Sequence, residues 1–118
     1  MPQTVLIVDD HAGFRLAARA LLEADGFEVV GESATGSEGL EAVGRLCPDL
    51  VLLDVGLPDI DGIEVCGRLR DCPGGGPAVV LTSSRDASDY PPHFEHCGAR
   101  GFIAKAELSG DALALLAA

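Results

Sequence analysis

The sequence predicts an α/β domain in which helices cover both faces of a parallel sheet. Short, uninterrupted apolar runs alternate with stretches of helical periodicity along the whole chain of 118 residues. Apolar runs without alternating polar positions are typical of strands that are buried on both faces. Alternation of strands and helices indicates parallel strands joined by right-handed crossovers. We therefore expect a doubly wound sheet of five strands in a single domain, residues 1–118.

The first half of the chain is expected to supply three strands and two helices. Gly26 ends the periodic stretch of the first helix, and Pro48 closes the second, because neither residue continues a helix readily. The elements are, in chain order, a strand at 5–8, a helix with apolar positions from Phe14 to Leu22, a strand at 27–31, a helix opening at Thr35-Gly36-Ser37, and a strand at 50–53.

The second half is expected to supply the remaining strands and helices, with one irregularity. Pro91 and Pro92 fall where the fourth helix is expected, and proline is disfavoured beyond the first helical turn. The fourth helix should therefore be short, at residues 91–97, after a long loop at 83–90. The other elements are, in chain order, a helix carrying Ile63, Val65 and Leu69, a strand at 79–81, a strand at 101–104, and a last helix at 111–118.

Chemically distinctive side chains stand at the ends of these strands. Asp9 and Asp10 follow the first strand, Asp54 the third, Thr82 the fourth and Lys105 the fifth. In open α/β sheets, ligands bind beyond the carboxyl ends of the strands, so these residues are expected to converge. Three carboxylates, a hydroxyl group and an ammonium group together suggest a magnesium-dependent phosphate site.

Other interpretations of single residues are structural. A lone aspartate at a strand end is usually a helix cap, so only the convergence of the whole set favours a site. His11 is expected to be a surface residue in the first turn of the first helix, without a chemical role. Asp59 and Asp61 are expected to cap the third helix.

Composition narrows the classes of partner. The formal charge is 8 − 19 = −11, which disfavours nucleic acid and anionic membranes as direct partners. No apolar run approaches the ~18 residues of a membrane span, and the amino terminus has no signal segment. The cytoplasm is therefore the expected compartment.

The cysteines do not predict a metal site. Four cysteines, at positions 47, 66, 72 and 97, form no Cys-x-x-Cys pair and are expected to be reduced thiols. His93 and His96 lie close to Cys97, but no second pair of ligands completes a zinc site.

Four motifs contain the strand-end residues. They are Val8-Asp9-Asp10, Leu53-Asp54-Val55-Gly56-Leu57-Pro58-Asp59-Ile60-Asp61-Gly62, Leu81-Thr82, and Gly98-Ala99-Arg100-Gly101-Phe102-Ile103-Ala104-Lys105. In this order they resemble the receiver domain of bacterial two-component response regulators, from residue 5 to about residue 114. The resemblance implies a flavodoxin-like fold, with five parallel strands in the order 2-1-3-4-5 and helices on both faces.

The resemblance also implies a role for each site residue. Asp54 would be the phosphoacceptor, and Lys105 and Thr82 would contact the phosphoryl group. Phe102 would be the switch aromatic that acts with Thr82. The resemblance places Mg²⁺ as the cofactor on four ligands: the carboxylates of Asp9, Asp10 and Asp54, and the backbone carbonyl of Gly56.

The same resemblance implies the partners. A sensor histidine kinase or a phosphotransfer protein would supply the phosphoryl group. The signal would leave through the face formed by the fourth helix, the fifth strand and the last helix, toward a downstream protein, an output domain or a second copy in a phosphorylation-dependent dimer. We expect no output domain within residues 1–118 and no enzyme activity beyond the chain's own phosphorylation and dephosphorylation. Asp9-Asp10-His11 is most similar to receivers that precede helix-turn-helix output domains.

Departures from the family pattern leave rival functions open. Ala106 follows Lys105, where many receivers have a cis-proline. A receiver-like interaction module that is never phosphorylated would keep the same fold. A haloacid-dehalogenase-like phosphatase needs a second aspartate two residues after the nucleophile, where this chain has Gly56. A flavodoxin-like electron carrier needs a phosphate loop rich in glycine and hydroxyl groups, where this chain has Asp9 and Asp10.

Overall fold

The chain folds as an alternating α/β structure. This computed structural model describes residues 3–71, 76–83 and 99–117. The strands are β1 (Thr4–Val8), β2 (Glu28–Ser33), β3 (Leu50–Asp54), β4 (Ala78–Ser83) and β5 (Gly101–Ala104). The described helices are α1 (Ala12–Ala24), α2 (Gly36–Leu46), α3 (Gly62–Arg70) and α4 (Gly110–Ala117), with a 3₁₀ turn at Lys105–Glu107.

The five strands form one parallel sheet in the order β2-β1-β3-β4-β5. This order confirms the predicted doubly wound topology. Because β1 and β3 are neighbours at the sheet centre, the chain reverses its winding direction there, which is where such folds bind ligands. The strands pair as far as their carboxyl ends, where Val8 lies opposite Leu53 and Asp54 lies opposite Thr82.

Two apolar cores confirm that helices cover both faces. The α2-side core packs α2 and α3 on one face of the sheet, and the α1-side core packs α1 and α4 on the other. Successive strand residues point to opposite faces, so odd and even positions of each strand separate cleanly between the cores. The α2-side core takes its strand residues from Leu6, Val8, Val51, Leu53, Val79 and Leu81. The α1-side core takes them from Val5, Ile7, Val29, Leu50, Leu52, Val80 and Ile103.

Two strands extend two residues beyond their predicted ends. β2 begins one residue later and continues to Ser33, because it pairs with β1 along the whole of that strand, past a register shift between Val5 and Leu6. β4 continues through Ser83, where it pairs with Ala104 of β5, so Ser83 does not begin the predicted loop. The rest of that loop and the predicted helix at 91–97 lie outside the described residues.

The predicted role of Asp59 was also wrong. Asp61 caps α3 as expected, accepting hydrogen bonds from the backbone amides of Ile63 (2.7 Å) and Glu64 (3.2 Å). Asp59 instead binds the start of α2, accepting from the Gly36 amide at 2.7 Å and from the Ser37 amide at 3.0 Å. The loop between β3 and α3 folds back onto α2, which brings Asp59 to the second helix rather than the third.

Three further expectations fall on described residues. The peptide bond between Lys105 and Ala106 is trans. Cys47 is exposed and forms no disulfide bond. None of the described helices is both long enough and apolar enough to cross a membrane.

Candidate functional site

Side-chain alternation brings four strand-end residues to one face of the sheet. Asp9, Asp54, Thr82 and Lys105 each lie two positions after a strand residue of the α1-side core. Because side chains two apart in a strand share a face, all four continue that face beyond the apolar layer. The core residues that precede them are Ile7, Leu52, Val80 and Ile103, respectively. The predicted convergence at the carboxyl ends of the strands is thus built into the sheet register.

Two carboxylates of this set are buried around one ammonium group. Asp9 is 1% exposed and Asp54 is 4% exposed. The Lys105 Nζ lies 2.7 Å from Asp9 Oδ2 and 3.7 Å from Asp54 Oδ2. It also lies 4.6 Å from the centroid of the Phe14 ring, which fixes the ammonium from the α1 side by a cation–π contact. One positive charge is therefore shared between two buried acids.

The charge imbalance affects the pKa of Asp54. Burial raises the pKa of Asp54 above its usual value of 3.8, and the nearby Asp9 carboxylate raises it further. The Gly56 amide, which donates to Asp54 Oδ1 at 3.2 Å, lowers this pKa, as does Lys105, without cancelling the rise. The site therefore has a surplus of negative charge that a cation would relieve.

The donor set fits a divalent cation. Ligand atoms of Asp9, Asp10, His11 and Asp54 all lie within 4.8 Å of one another. Three carboxylates are the hard oxygen ligands that Mg²⁺ prefers, and Asp10 is partly exposed, which leaves room for the waters that Mg²⁺ retains.

Thr82 places an unused hydroxyl group beside the acids. Its side chain is 1% exposed, and Thr82 Oγ1 has no hydrogen-bond partner in the described part of the chain. A buried hydroxyl group without a partner is costly and calls for an explanation. Since Thr82 pairs directly with Asp54 across the strands, this hydroxyl group is positioned for something that binds at Asp54.

The loop after Asp54 is held by a close backbone contact. A Cβ atom on Gly62 would lie against the Asp54 carbonyl oxygen and 2.8 Å from Val55 Cα. The Gly62 amide donates to the Val55 carbonyl at 2.9 Å, so the start of α3 packs directly on the end of β3. Glycine is required here because only a residue without Cβ allows this approach.

Asp59 connects the same loop to the start of α2. Its carboxylate accepts from the Ser37 hydroxyl group at 2.7 Å, in addition to the two amides at the start of α2. The Ser37 hydroxyl and the amides of α2 hold the pKa of Asp59 well below its usual value of 3.8. The segment from Asp54 to Gly62 is thus held by the packing of Gly62 on the end of β3 and by the contacts of Asp59 with α2.

His11 lies closer to the site than the sequence predicted. It is exposed, as expected, but it is the residue before α1, and its ring turns back toward the acids. Its Nδ1 lies 3.1 Å from Asp10 Oδ1 and 3.2 Å from Asp9 Oδ1, while its backbone amide donates to Asp9 Oδ1 at 2.8 Å. The only sequence signal was its place directly after the acidic pair.

Arg15 is a second residue that sequence reasoning missed. Its Nη1 donates to the backbone carbonyl of Asp9 at 2.6 Å, and its Nε pairs with Glu32 of β2 at 3.2 Å. Arg15 therefore ties the loop that carries Asp9 and Asp10 to α1 and to the edge strand. No local pattern identifies this contact, because it depends on how α1 crosses the sheet.

Phe102 lies in β5, one of the described elements of the face through which the signal is predicted to leave. It is half-buried, pairs with Leu81 in β4 and packs against the α2-side core. This is the opposite face of the sheet from Thr82 and Lys105, because Phe102 is one position out of phase with Ile103. Its switch role stays a prediction.

The chain is similar in sequence to bacterial response regulators. A sequence profile of the response regulator receiver domain matches residues 5–116. A protein of Pseudomonas aeruginosa assigned as a transcriptional regulator is 46% identical over 103 residues, which cover 87% of this chain and 49% of that protein. The nitrate/nitrite response regulator protein NarL of Escherichia coli is 35% identical over 105 residues, which cover 88% of this chain and 48% of NarL. The chain thus spans about half the length of the curated relatives it matches.

Solved structures give the same result for the fold. A two-component response regulator of the LuxR family from Aurantimonas sp. superposes with a TM-score of 0.86 at 29% identity, covering 99% of this chain and 86% of that one.

Proposed function

Because the chain belongs to the receiver domain family of two-component response regulators, we propose that Asp54 accepts a phosphoryl group from a histidine kinase or phosphotransfer protein in a Mg²⁺-dependent step. One observation carries the proposal. The buried Asp54 carboxylate lies 3.7 Å from the Lys105 ammonium group, and Asp54 pairs in register with Thr82, whose hydroxyl group has no hydrogen-bond partner among the described residues. These are a nucleophile and two groups that stabilise phosphoryl oxygens.

The transfer forms one bond and breaks one. An Asp54 carboxylate oxygen attacks phosphorus in line, and the bond from phosphorus to the donor nitrogen of a phosphohistidine breaks, its electron pair leaving on the imidazole. Lys105 moves its charge from the two carboxylates toward a phosphoryl oxygen. Thr82 donates its hydroxyl hydrogen to another phosphoryl oxygen, which gives the hydroxyl group a hydrogen-bond partner.

Asp9, Asp10, Asp54 and the Gly56 carbonyl would hold the metal. When bound, Mg²⁺ supplies positive charge that offsets repulsion between the carboxylate and the phosphoryl group. Lys105 already occupies Asp9 Oδ2, so Asp9 is left to use Oδ1 toward a cation. Neutralising the surplus charge also favours the ionised, nucleophilic form of Asp54 against the burial that raises its pKa.

Intact mass after incubation with acetyl phosphate and Mg²⁺ tests the assignment. We expect one added phosphoryl group, absent when the metal is chelated and absent in Asp54→Asn. Asp71→Asn is the matched control, since Asp71 is an acid with a 76% exposed side chain far from the strand ends in sequence. Labelling of Asp54→Asn equal to that of the unmutated chain would assign the phosphoryl group to another residue. A complete lack of labelling would favour an interaction module that is not phosphorylated.

We further propose that residues 1–118 act as one receiver domain whose output is a protein–protein contact. The net charge of −11 disfavours direct binding to nucleic acid. The contact would use the face formed by residues 91–97, β5 and α4, toward an output domain, a downstream protein or a second copy. Phosphorylation adds up to two negative charges beside Thr82 and Lys105, and drawing Thr82 inward would pull on the segment after β4 and let Phe102 turn.

Hydrogen exchange with and without beryllofluoride, a phosphoryl mimic, tests this output. We expect protection to change between residues 83 and 105. Changes confined to α1 and α2 would show that the signal leaves by another face.

A further inference from the structure

The geometry points to a metal preference that goes beyond Mg²⁺. We propose that His11 supplies a nitrogen ligand through Nδ1, so that the site also takes borderline divalent transition metals such as Ni²⁺. This inference rests on the proposed function in one respect, that the acidic cluster holds a cation at all. It adds a ligand and a class of metal to that site.

The ligand spacing matches octahedral coordination. Ligands about 2.1 Å from a metal at right angles to each other lie about 3.0 Å apart. His11 Nδ1 lies 3.1 Å from Asp10 Oδ1 and 3.2 Å from Asp9 Oδ1. Both separations from His11 Nδ1 are thus close to those of adjacent ligands in an octahedron. A cation there would take the place of the Nδ1 hydrogen, and the ring would keep its other hydrogen on Nε2.

The ring is held where it can act as a ligand. The His11 backbone amide donates to Asp9 Oδ1 at 2.8 Å, which ties the residue to the acid it would share a metal with. Lys105 Nζ lies 3.4 Å from His11 Nδ1, but its short contact is with Asp9 Oδ2, on the other oxygen of that carboxylate. The ammonium group and a cation can therefore use different oxygens of Asp9.

An independent feature favours a ligand at this end of the sheet. The Thr82 hydroxyl group is buried on the same face of the sheet and has no partner among the described residues. Carboxylates alone suit Mg²⁺, whereas imidazole suits later first-row metals. Adding one imidazole to three carboxylates therefore raises affinity for the later metals without serving Mg²⁺.

Calorimetric titration of Ni²⁺ and of Mg²⁺ into the unmutated chain and into His11→Ala tests the proposal. The substitution keeps the backbone amide that binds Asp9 and removes only the ring. To isolate this site, only Ni²⁺ binding that saturating Mg²⁺ displaces is counted. His93→Gln/His96→Gln is the matched control, because it removes the other two histidines and should leave both affinities unchanged.

We expect His11→Ala to weaken Ni²⁺ binding about tenfold or more and Mg²⁺ binding less than about twofold. Pulsed electron paramagnetic resonance of bound Mn²⁺ should show coupling to a directly bound nitrogen in the unmutated chain, and none in His11→Ala. Equal losses for both metals, or no loss for either, would overturn the nitrogen ligand while Mg²⁺ binding stands. If neither metal binds the unmutated chain, the inference and the metal part of the proposed function both fail.

Discussion

One pair of aspartates lies at the ends of β1 and β3 and another pair lies in the loop after β3, and the surroundings of the two pairs are opposite. Asp59 and Asp61, in the loop, accept hydrogen bonds from backbone amides at the starts of α2 and α3. Asp9 and Asp54, at the strand ends, face each other across one shared lysine. The pKa of Asp59 is lowered by its donors, whereas the pKa of Asp54 is raised by burial and by Asp9.

The contrast distinguishes aspartates that stabilise the fold from aspartates that form the candidate site. A carboxylate that accepts amide hydrogens is stabilised in its charged form and holds its loop in place. A carboxylate buried beside another is destabilised in its charged form, so a bound cation would stabilise it. The loop acids anchor the segment that follows Asp54 to α2 and α3, whereas the strand-end acids share one lysine.

Gly62 joins the two groups, and its substitution should have the largest effect. In Gly62→Ala the new methyl group meets the Asp54 carbonyl oxygen and the Val55 backbone, and no flexible side chain can move aside. We expect the free energy of unfolding to fall by about 3 kcal/mol, as for other severe backbone clashes. Urea unfolding followed by circular dichroism measures it.

Gly67→Ala in the same helix is the control. A Cβ atom at Gly67 meets nothing within 4 Å, so alanine should stabilise α3 by about 0.5 kcal/mol through its higher helix propensity. Similar effects of the two substitutions would show that the contact between α3 and the end of β3 does not restrain Asp54.

Mg²⁺ should stabilise the fold by the next largest amount, because it binds the native state and relieves the strand-end acids. At about one hundred times its dissociation constant, a ligand that binds only the native state adds about 2.7 kcal/mol. Thermal unfolding with and without Mg²⁺ measures this gain.

Asp10→Asn should show whether that gain comes from Mg²⁺ binding at the strand-end acids. Removing one carboxylate from the cluster should raise the unfolding temperature without metal and abolish the Mg²⁺ effect. Asp71→Asn, in an exposed acid, should leave the Mg²⁺ effect intact. A melting temperature of the unmutated chain that millimolar Mg²⁺ does not change would count against a working metal site.

The strand-end acids were predicted from the sequence better than the loop acids were. Strand-end acids are found by a local rule, because an apolar run marks a parallel strand and its last residues mark the edge where sites form. Which helix Asp59 binds depends on the packing of a loop against α2, 22 residues or more earlier in the chain. The ring of His11 and the contact of Arg15 with the Asp9 carbonyl likewise depend on how α1 crosses the sheet, which no sequence period encodes.

The smallest effect is a difference in pH dependence between the two groups, measured without metal. Because the pKa of Asp54 is raised in the folded state, the folded chain binds its proton more tightly, and the contribution of Asp54 to stability falls as pH rises above 3.8. Because the pKa of Asp59 is lowered, its contribution is present above 3.8 and is lost as pH falls through the folded value. The two acids therefore change stability in opposite directions over the acidic range.

Substitutions that remove the charge should show this as two gaps in the free energy of unfolding, each measured against the unmutated chain and opposite in sign. At about pH 7, Asp54→Asn should be more stable than the unmutated chain and Asp59→Asn less stable. The gap for Asp54→Asn should narrow as the pH falls toward about 4, whereas the gap for Asp59→Asn should narrow only below 3.8. Urea unfolding at a series of pH values measures the gaps, with Asp71→Asn expected to give none. Gaps of the same sign would mean that burial and Asp9 do not strain Asp54 in the metal-free fold. A gap for Asp54→Asn that stays constant with pH would show that the asparagine side chain, and not the lost charge, causes the change.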